Sequence, residues 1–457
     1  MSGRRFVVAL LVIAGVAFVG RATYILTVTR HETGFYDRVY YQGSAERLAA
    51  GEWFKFPPSF GDPDLEDALH PPLTALVLTP AARVTADSDL AMRFTVALAG
   101  VGVVLLAGLI GREVAGSRVG LVAAGLAAVY PNLWMNDGLI MAETFATLAT
   151  AATVFFAYRL LHMPTWRNAA AAGVSCALAM LSRGELFLLV PLVAVPAALL
   201  VKGATRDRRF RLAGVVVLSA LLVVAPWVAY NLARFEKPVF LSNGDGGVVA
   251  GANCDQTYWG PELGSWHGLC HADVGGDQLE GSLNSEQKRE AALEYMRDHL
   301  GRLPVVVIAR IGRSWSVYKP LEMIDVDVTE GRPRWASWAG LGMYWALVPL
   351  SVAGVVVLRR RAVPLFPLVG PLIVSTLVAG AFYGRVRFRA PAEVSLVVLA
   401  AVAAQRLIDR APIGPLQTLP SSYPRGEPPP RSRADERTGT TPRPHGRSGE
   451  TGSAPRR

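Results

Sequence analysis

Phe6-Val7-Val8-Ala9-Leu10-Leu11-Val12-Ile13-Ala14-Gly15-Val16-Ala17-Phe18-Val19 follows Arg4-Arg5, and its apolar character resumes through Ile25 and Leu26. A helix of about 20 such residues crosses ~30 Å of hydrocarbon. No small-x-small cleavage pattern follows the run, so it reads as an uncleaved transmembrane helix and not a signal peptide. Similar runs recur along the chain. Membrane helices are expected near residues 5–28, 89–110, 118–136, 140–158, 168–182, 185–201, 211–230, 338–358, 363–382 and 391–408, about ten in all. Residues 71–84 are apolar but short and open on Pro71-Pro72, which makes them a juxtamembrane helix. Residues 304–318, interrupted by Arg310 and Arg313, read the same way.

Composition agrees. Of 457 residues, 51% are hydrophobic and only 18% charged, with mean hydropathy +0.31. Soluble domains carry nearer a quarter charged residues, so the expected class is an all-α polytopic membrane protein. The net charge of +10 is not a nucleic-acid signature, because much of it lies in short loops. Arg112, Arg118, Arg159, Arg167, Lys202, Arg206, Arg208, Arg209, Arg211 and Arg359-Arg360-Arg361 fall on one side of the expected topology. The turn from Asn132 to Met141 on the other side holds no Lys or Arg. That asymmetry puts both termini in the cytoplasm.

The pieces are then the first helix (1–28), a first outer loop with juxtamembrane helices (29–88), a transmembrane core (89–230) and an outer cap (231–337). C-terminal membrane helices (338–410) and a disordered cytoplasmic tail (411–457), rich in Pro, Ser, Thr, Gly and Arg, follow. The cap contains an amphipathic stretch from Ser285 to Leu300. Cys176 reads as a small core residue, whereas Cys254 and Cys270 share the cap, where a disulfide would close a loop worth ~3 kcal/mol. Two unrelated thiols are the alternative.

Unusual polar residues gather on the expected outer face. Asp37 lies in Phe35-Tyr36-Asp37-Arg38-Val39-Tyr40-Tyr41, at the start of a short interfacial helix ended by Gly51. A base there reaches a hydroxyl presented from outside; a solvated carboxylate, or an ion pair with Arg38, is the bland alternative. Glu143 stands at the outer end of an apolar helix, where ionisable groups are costly, with Asp137 just before it. Asp137 also suits a helix start on dipole grounds. Arg183 faces the same side and pairs with Glu185 or neutralises a catalytic acid, and His70 precedes the Pro pair. Arg385, Arg387 and Arg389 alternate in Tyr383-Gly-Arg-Val-Arg-Phe-Arg-Ala-Pro391. Three outer-face cations run against the positive-inside trend and call for an anion. Guanidinium groups match phosphate oxygens; ordinary lipid headgroups or loop carboxylates are the alternative partners.

Several fragments in this order and spacing resemble a known family: Arg21, Asp37-x-x-Tyr40, Ala45, Leu48 and Gly51, then His70-Pro-Pro-Leu73, Gly111-Arg112, Tyr130-Pro131, Met141-Ala-Glu143 and Leu181-x-Arg183. Pro226-Trp227, Asn231, Gly251-Ala-Asn253 and Arg387-Phe-Arg389 complete them. The chain is similar to bacterial GT-C class membrane glycosyltransferases, in the group related to protein O-mannosyltransferases and lipid A aminoarabinose transferases, from about Arg21 to Arg406.

The resemblance implies transfer of one sugar, with inversion, from a polyprenyl-phosphate-linked donor to an acceptor hydroxyl of a lipid, protein or glycan. The place is the outer face of the bacterial cytoplasmic membrane. It implies Asp37 as base or as metal or acceptor ligand, with Asp137 and Glu143 available as the second acid. Phosphate falls to Arg385, Arg387 and Arg389, and Tyr40, His70, Arg183 and Asn253 are further substrate-site residues. Family members often carry two adjacent acids in the first loop; here the neighbours are Tyr36 and Arg38, so no cofactor is certain and a divalent metal stays open. A transporter or flippase of lipid-linked sugars is the rival, but would place its charges near the midplane. A non-catalytic scaffold of the same fold is a third possibility.

Overall fold

The computed structural model describes residues 1–32, 37–84, 88–276 and 280–409. The expected cytoplasmic tail lies outside the described residues. The described residues are almost wholly helical, with a single isolated antiparallel bridge between Lys55 and Glu66.

Helix α1 (Gly3–Tyr24) buries Phe6, Leu10, Ala14, Ala17, Arg21 and Tyr24 along one stripe. Its opposite face is also apolar: Val7, Val8, Leu11, Val12, Val16 and Val19 are exposed. A soluble helix would carry charge there, so that surface belongs against lipid. Short α2 (Asp37–Ala50) and α3 (Leu73–Val84) follow, as expected for the first loop. Long α4 (Ser88–Ala115) packs closely on α5 (Ser117–Val129). A Cβ on Gly120 would sit 2.5 Å from the Gly108 carbonyl oxygen, so the small residues set the approach. The turn α6 (Pro131–Trp134) leads through a 3-10 turn (Met135–Gly138) to α7 (Glu143–His162).

Next come α8 (Trp166–Ser182) and a broken stretch: a 3-10 turn (Gly184–Leu188), a π turn (Val190–Ala194) and α9 (Val195–Leu199). Pro191 and Pro196 each lack an N–H, which accounts for a segment expected to be one helix over 185–201. Helix α10 (Arg206–Arg234) precedes the cap, built from α11 (Asp245–Gly251), α12 (Asp255–Tyr258), α13 (Gly281–Asp298), α14 (Leu303–Ser314) and α15 (Pro320–Thr329). Helices α16 (Arg334–Arg360), α17 (Phe366–Ala381) and α18 (Ala390–Asp409) end the described chain. Every residue of α18 from Ala390 to Ala403 is buried, which makes it the central post of the bundle.

The protein is a multi-pass membrane protein. Among the described residues, six helices are long and apolar enough to cross a bilayer: Gly3–Thr29, Ser88–Ala115, Glu143–His162, Arg206–Arg234, Arg334–Arg360 and Val386–Asp409. The remaining four of the ten expected spans correspond to α5, α8, the broken stretch and α17, which are shorter.

Arg310 and Arg313 do not merely interrupt α14. Arg310 Nη2 donates to the Ala252 carbonyl (2.6 Å) and to Asn253 Oδ1 (2.9 Å), and Arg313 donates to the Leu263 and Pro261 carbonyls. Both arginines are buried and stitch the cap loops to α14. Cys254 and Cys270 form a disulfide in the same loops, and Cys176 is a buried free thiol.

Candidate active site

Asp37 opens α2, the first residue of a helix whose next turn brings Tyr40 and Tyr41 inward. Tyr40 donates its hydroxyl proton to Asp67 Oδ2 (2.7 Å), and Asp67 Oδ1 accepts from the Leu69 N–H (2.9 Å). Those bonds pin the 67–70 strip against α2. The His70 ring then rests between Tyr40 and Tyr41, at 4.9 and 5.1 Å between centroids, with Nε2 3.6 Å from Asp37 Oδ1. Burial of Asp67 pushes its carboxyl up to about 6, against the bonds from Leu69 and Tyr40.

Glu143 opens α7 and is buried; its Oε1 accepts from Arg183 Nη1 at 3.0 Å, while Oε2 has no partner. Arg183 also holds Glu185 at 2.7 Å and lies over the Phe388 ring. From the far end of the chain, Arg387 Nη1 donates to Asp37 Oδ2 at 2.6 Å and Nη2 to the Tyr383 hydroxyl at 3.1 Å. Glu143 Oε1 is 3.9 Å and Glu330 Oε1 3.8 Å from the same guanidinium, and Arg385 is 3.8 Å from Glu330. Desolvation tends to raise the Asp37 carboxyl, but the Arg387 charge and the His70 bond outweigh it and hold the group far below the usual carboxylate range. Glu330 is likewise driven down, against its burial, to about 2 by Arg387, Arg332 and Arg385.

Asp37, His70, Glu143, Arg183, Arg385 and Arg387 all line one cavity of about 1970 Å³. One wall is apolar, from Phe187 and Leu188 on the broken stretch and Leu377, Val378, Ala381 and Phe382 on or just after α17. Phe187 and Leu377 are each half exposed. The lining also includes polar and aromatic side chains, with Phe56 and Phe60 from the first loop and Lys237, His267 and His271 from the cap.

Four expected site residues lie elsewhere. Asp137 is consumed by structure: Arg21 Nε donates to it at 2.5 Å and the Thr144 hydroxyl at 2.8 Å, all buried. It nests where α4 has Gly100, whose Cβ would fall 2.0 Å from its Oδ2. Arg389 does not join the other two arginines. Residues Val386–Arg389 form a 3-10 turn, not an extended strip, so at three residues per turn Arg389 follows Val386 and turns inward. There it pairs with Glu393 at 2.6 Å and lies over the Tyr344 ring. Asn253 accepts from Tyr258 and Arg310 inside the cap. Tyr40 lies behind the cavity surface and positions His70.

Glu330 was missed by the sequence reading. Its only signal is an acid just before Gly331, whose φ of +87° makes the chain turn sharply into α16. A divalent metal does not fit the residues present: among the described residues no group of three His, Cys, Asp or Glu side chains is placed to hold one. The point on which the acids converge is filled by a guanidinium.

Residues 69–230 match the family model of dolichyl-phosphate-mannose-protein mannosyltransferases. The archaeal oligosaccharyltransferase AglB from Archaeoglobus fulgidus, in complex with an inhibitory peptide and a dolichol-phosphate, is 14% identical with a TM-score of 0.54, over 89% of this chain and 50% of that one. Its apo form gives 16% identity and 0.54 over 90% and 51%. The chain thus spans about half the length of these proteins. ArnT from Cupriavidus metallidurans bound to undecaprenyl phosphate is 16% identical, over 89% of this chain and 79% of that one, with a TM-score of 0.41. No curated protein sequence matches. The chain has the fold of the GT-C class of membrane glycosyltransferases.

Proposed function

We propose that the protein is a glycosyltransferase that moves a single sugar from a polyprenyl-phosphate donor to an acceptor hydroxyl at the outer face of the cytoplasmic membrane, with both termini cytoplasmic. The observation that carries this reading is the meeting of Asp37, Glu143, Arg183 and Arg387 in one cavity that also has an apolar wall. Charged and lipid-compatible surfaces in one space suit a substrate that is both phosphorylated and lipid-linked.

The isoprenoid lies along Phe187, Leu188 and Leu377. Its phosphate takes donors from Arg385 and Arg387, whose Nε atoms are buried and have no hydrogen-bond partner. Asp37 accepts the proton of the acceptor hydroxyl as that oxygen bonds to the anomeric carbon. The carbon–oxygen bond to phosphate breaks on the opposite side, and the polyprenyl phosphate leaves with the electron pair. Attack from the face opposite the leaving group inverts the anomeric centre. While Arg387 holds Asp37, the carboxylate is a weak base; a phosphate that takes up Arg387 raises its basicity at the moment it is needed. Glu143 Oε2, buried and unpartnered, is placed to accept from a sugar hydroxyl. General-base help of this kind is typically worth 10²–10⁴-fold, and fixed cations at the departing phosphate a similar factor.

The purified protein in lipid nanodiscs, given polyprenyl-phosphate monosugars with labelled sugar, is expected to release polyprenyl phosphate and glycosylate an envelope acceptor. The product's anomeric configuration is expected to be opposite to the donor's. Absence of transfer with every donor sugar and an envelope extract as acceptor would sink the reading.

A further inference from the structure

The reaction just described uses only part of the cavity. A pocket for one small ligand holds roughly 300–1,000 Å³, and this one encloses about 1970 Å³. The unused lining comes from the cap. Three of its side chains carry a buried polar atom with no hydrogen-bond partner: Asn243 Nδ2, Asn284 Oδ1 and His271 Nε2. Such atoms are rare in folded proteins and call for an explanation. Two glycines leave room beside them. A Cβ on Gly281, the first residue of α13, would fall 2.4 Å from Asn243 Nδ2, and one on Gly275 (φ +80°) 2.3 Å from Asn284 Oδ1. His271 accepts from the Val274 N–H (3.2 Å) in the turn that leads to Gly275.

The three atoms form a mixed set: an amide N–H that gives, an amide oxygen that takes, and an imidazole nitrogen. Burial, with Lys288 nearby, pushes the His271 imidazole down, so it is neutral at pH 7 and its nitrogen can serve either way. A phosphate wants donors only and an ammonium acceptors only, whereas a hydroxyl both gives and takes. The charges of this region are already answered within it. Lys237 pairs with Glu286 (2.7 Å), Arg289 with Asp245 (3.1 Å), and Glu66 with Lys55 and Arg234. Aromatic rings link the cap to the catalytic centre. Arg387 donates to the Tyr383 hydroxyl, the Tyr383 ring lies 6.3 Å from Trp266, and Trp266 lies 5.6 Å from His271. Phe56 and Phe60, 6.1 Å apart, add rings from the first loop. The negative face of a ring suits the C–H face of a sugar.

We propose that the cap side of the cavity is the acceptor subsite, and that it takes an uncharged glycan of more than one sugar unit. Its rings stack along Trp266 and its hydroxyls complete Asn243, Asn284 and His271. As an acceptor subsite it rests on the glycosyltransferase reading, but carbohydrate binding is measurable without turnover. Full-length protein in nanodiscs is titrated with neutral linear tetrasaccharides of mannose, glucose, galactose or arabinose, and with an uncharged Ser/Thr peptide, followed by saturation-transfer NMR. At least one tetrasaccharide is expected to bind saturably. Asn243→Ala, Asn284→Ala and His271→Phe, each confirmed as folded by its thermal transition, are expected to weaken that binding at least tenfold, and Asp37→Asn to keep it. No tetrasaccharide binding by the wild type, binding that all three cap variants retain, or a peptide that binds more tightly and depends on the same three residues overturns the proposal. With labelled donor and the bound tetrasaccharide, His271→Phe is expected to raise acceptor KM at least tenfold and leave donor KM unchanged. Absence of transfer with every donor and acceptor counts against the proposed function, and the tetrasaccharide titration then decides this subsite by itself.

Discussion

Asp37 carries the proton in the proposed reaction, so Asp37→Asn keeps the shape and loses the acceptor of that proton. Turnover is expected to drop by about 10²–10⁴-fold with donor binding largely kept, measured as kcat against KM for labelled donor. The neighbouring Tyr40 touches His70 and Asp67 rather than the cavity, and Tyr40→Phe removes its bond to Asp67 and the longer one it accepts from the His70 N–H. A buried carboxyl left short of one partner costs about 1–3 kcal/mol, so Tyr40→Phe is expected to lower the thermal midpoint while leaving KM nearly unchanged. Residue by residue, the sequence spoke clearly only where a charge stood next to an apolar run. Asp37, Glu143, Arg183, Arg385 and Arg387 announced themselves in that way, and the cavity holds all five. Asp137 and Asn253 looked alike in sequence, but buried partners that only the folded chain brings near, Arg21 and Arg310, claim them.

At the scale of elements, the positions of helices followed from hydrophobic run lengths, because a membrane leaves a chain little freedom other than helix. Local backbone form did not follow so readily. The three outer arginines read as an alternating strip until the chain between Arg385 and α18 proved to be a 3-10 turn, which spends Arg389 on Glu393. The break around Gly184–Leu199 was hidden for the same reason, since hydropathy is blind to whether a proline-bearing apolar run is α, π or 3-10. Helix α4 supplies a sharp test of packing. Gly100→Ala would put a methyl group against the Asp137 carboxylate and force it off Arg21. Breaking a buried ion pair costs about 3–5 kcal/mol, and the variant is expected to unfold at markedly lower temperature or denaturant than wild type. In the cap, the Cys254–Cys270 bridge sits beside His267 and His271 on the cavity wall. Cys254→Ser/Cys270→Ser is expected to raise amide hydrogen exchange in residues 254–272 while leaving α18 protected, since the crosslink restrains only its own loop.

For the whole molecule, the acid–guanidinium cluster sets how the protein meets pH. Arg387, Arg332 and Arg385 hold the Glu330 carboxyl down to about 2, and Arg387 with His70 holds Asp37 well below the ordinary carboxylate range. Depressed acids contribute stability that is complete above the usual carboxylate range and is lost as pH falls through the folded-state values. The midpoint difference between wild type and Glu330→Gln is therefore expected to be steady from about pH 8 to 5 and to shrink below about pH 4. Asp67, raised to about 6, works in the opposite sense, its contribution fading as pH climbs from below 4 through about 6. The apolar wall makes a separate forecast: Leu377→Asp is expected to raise KM for long-chain polyprenyl donors far more than for a short, water-soluble analogue. One more consequence comes from how the cavity is sewn together. Its central pair joins side chains 350 positions apart along the polypeptide, one near the first hydrophobic span and one leading into the final one. A ribosome must therefore finish nearly every crossing before the two can touch. Any product stalled or clipped upstream of that last turn keeps Asp37 but lacks the guanidinium that pairs with it.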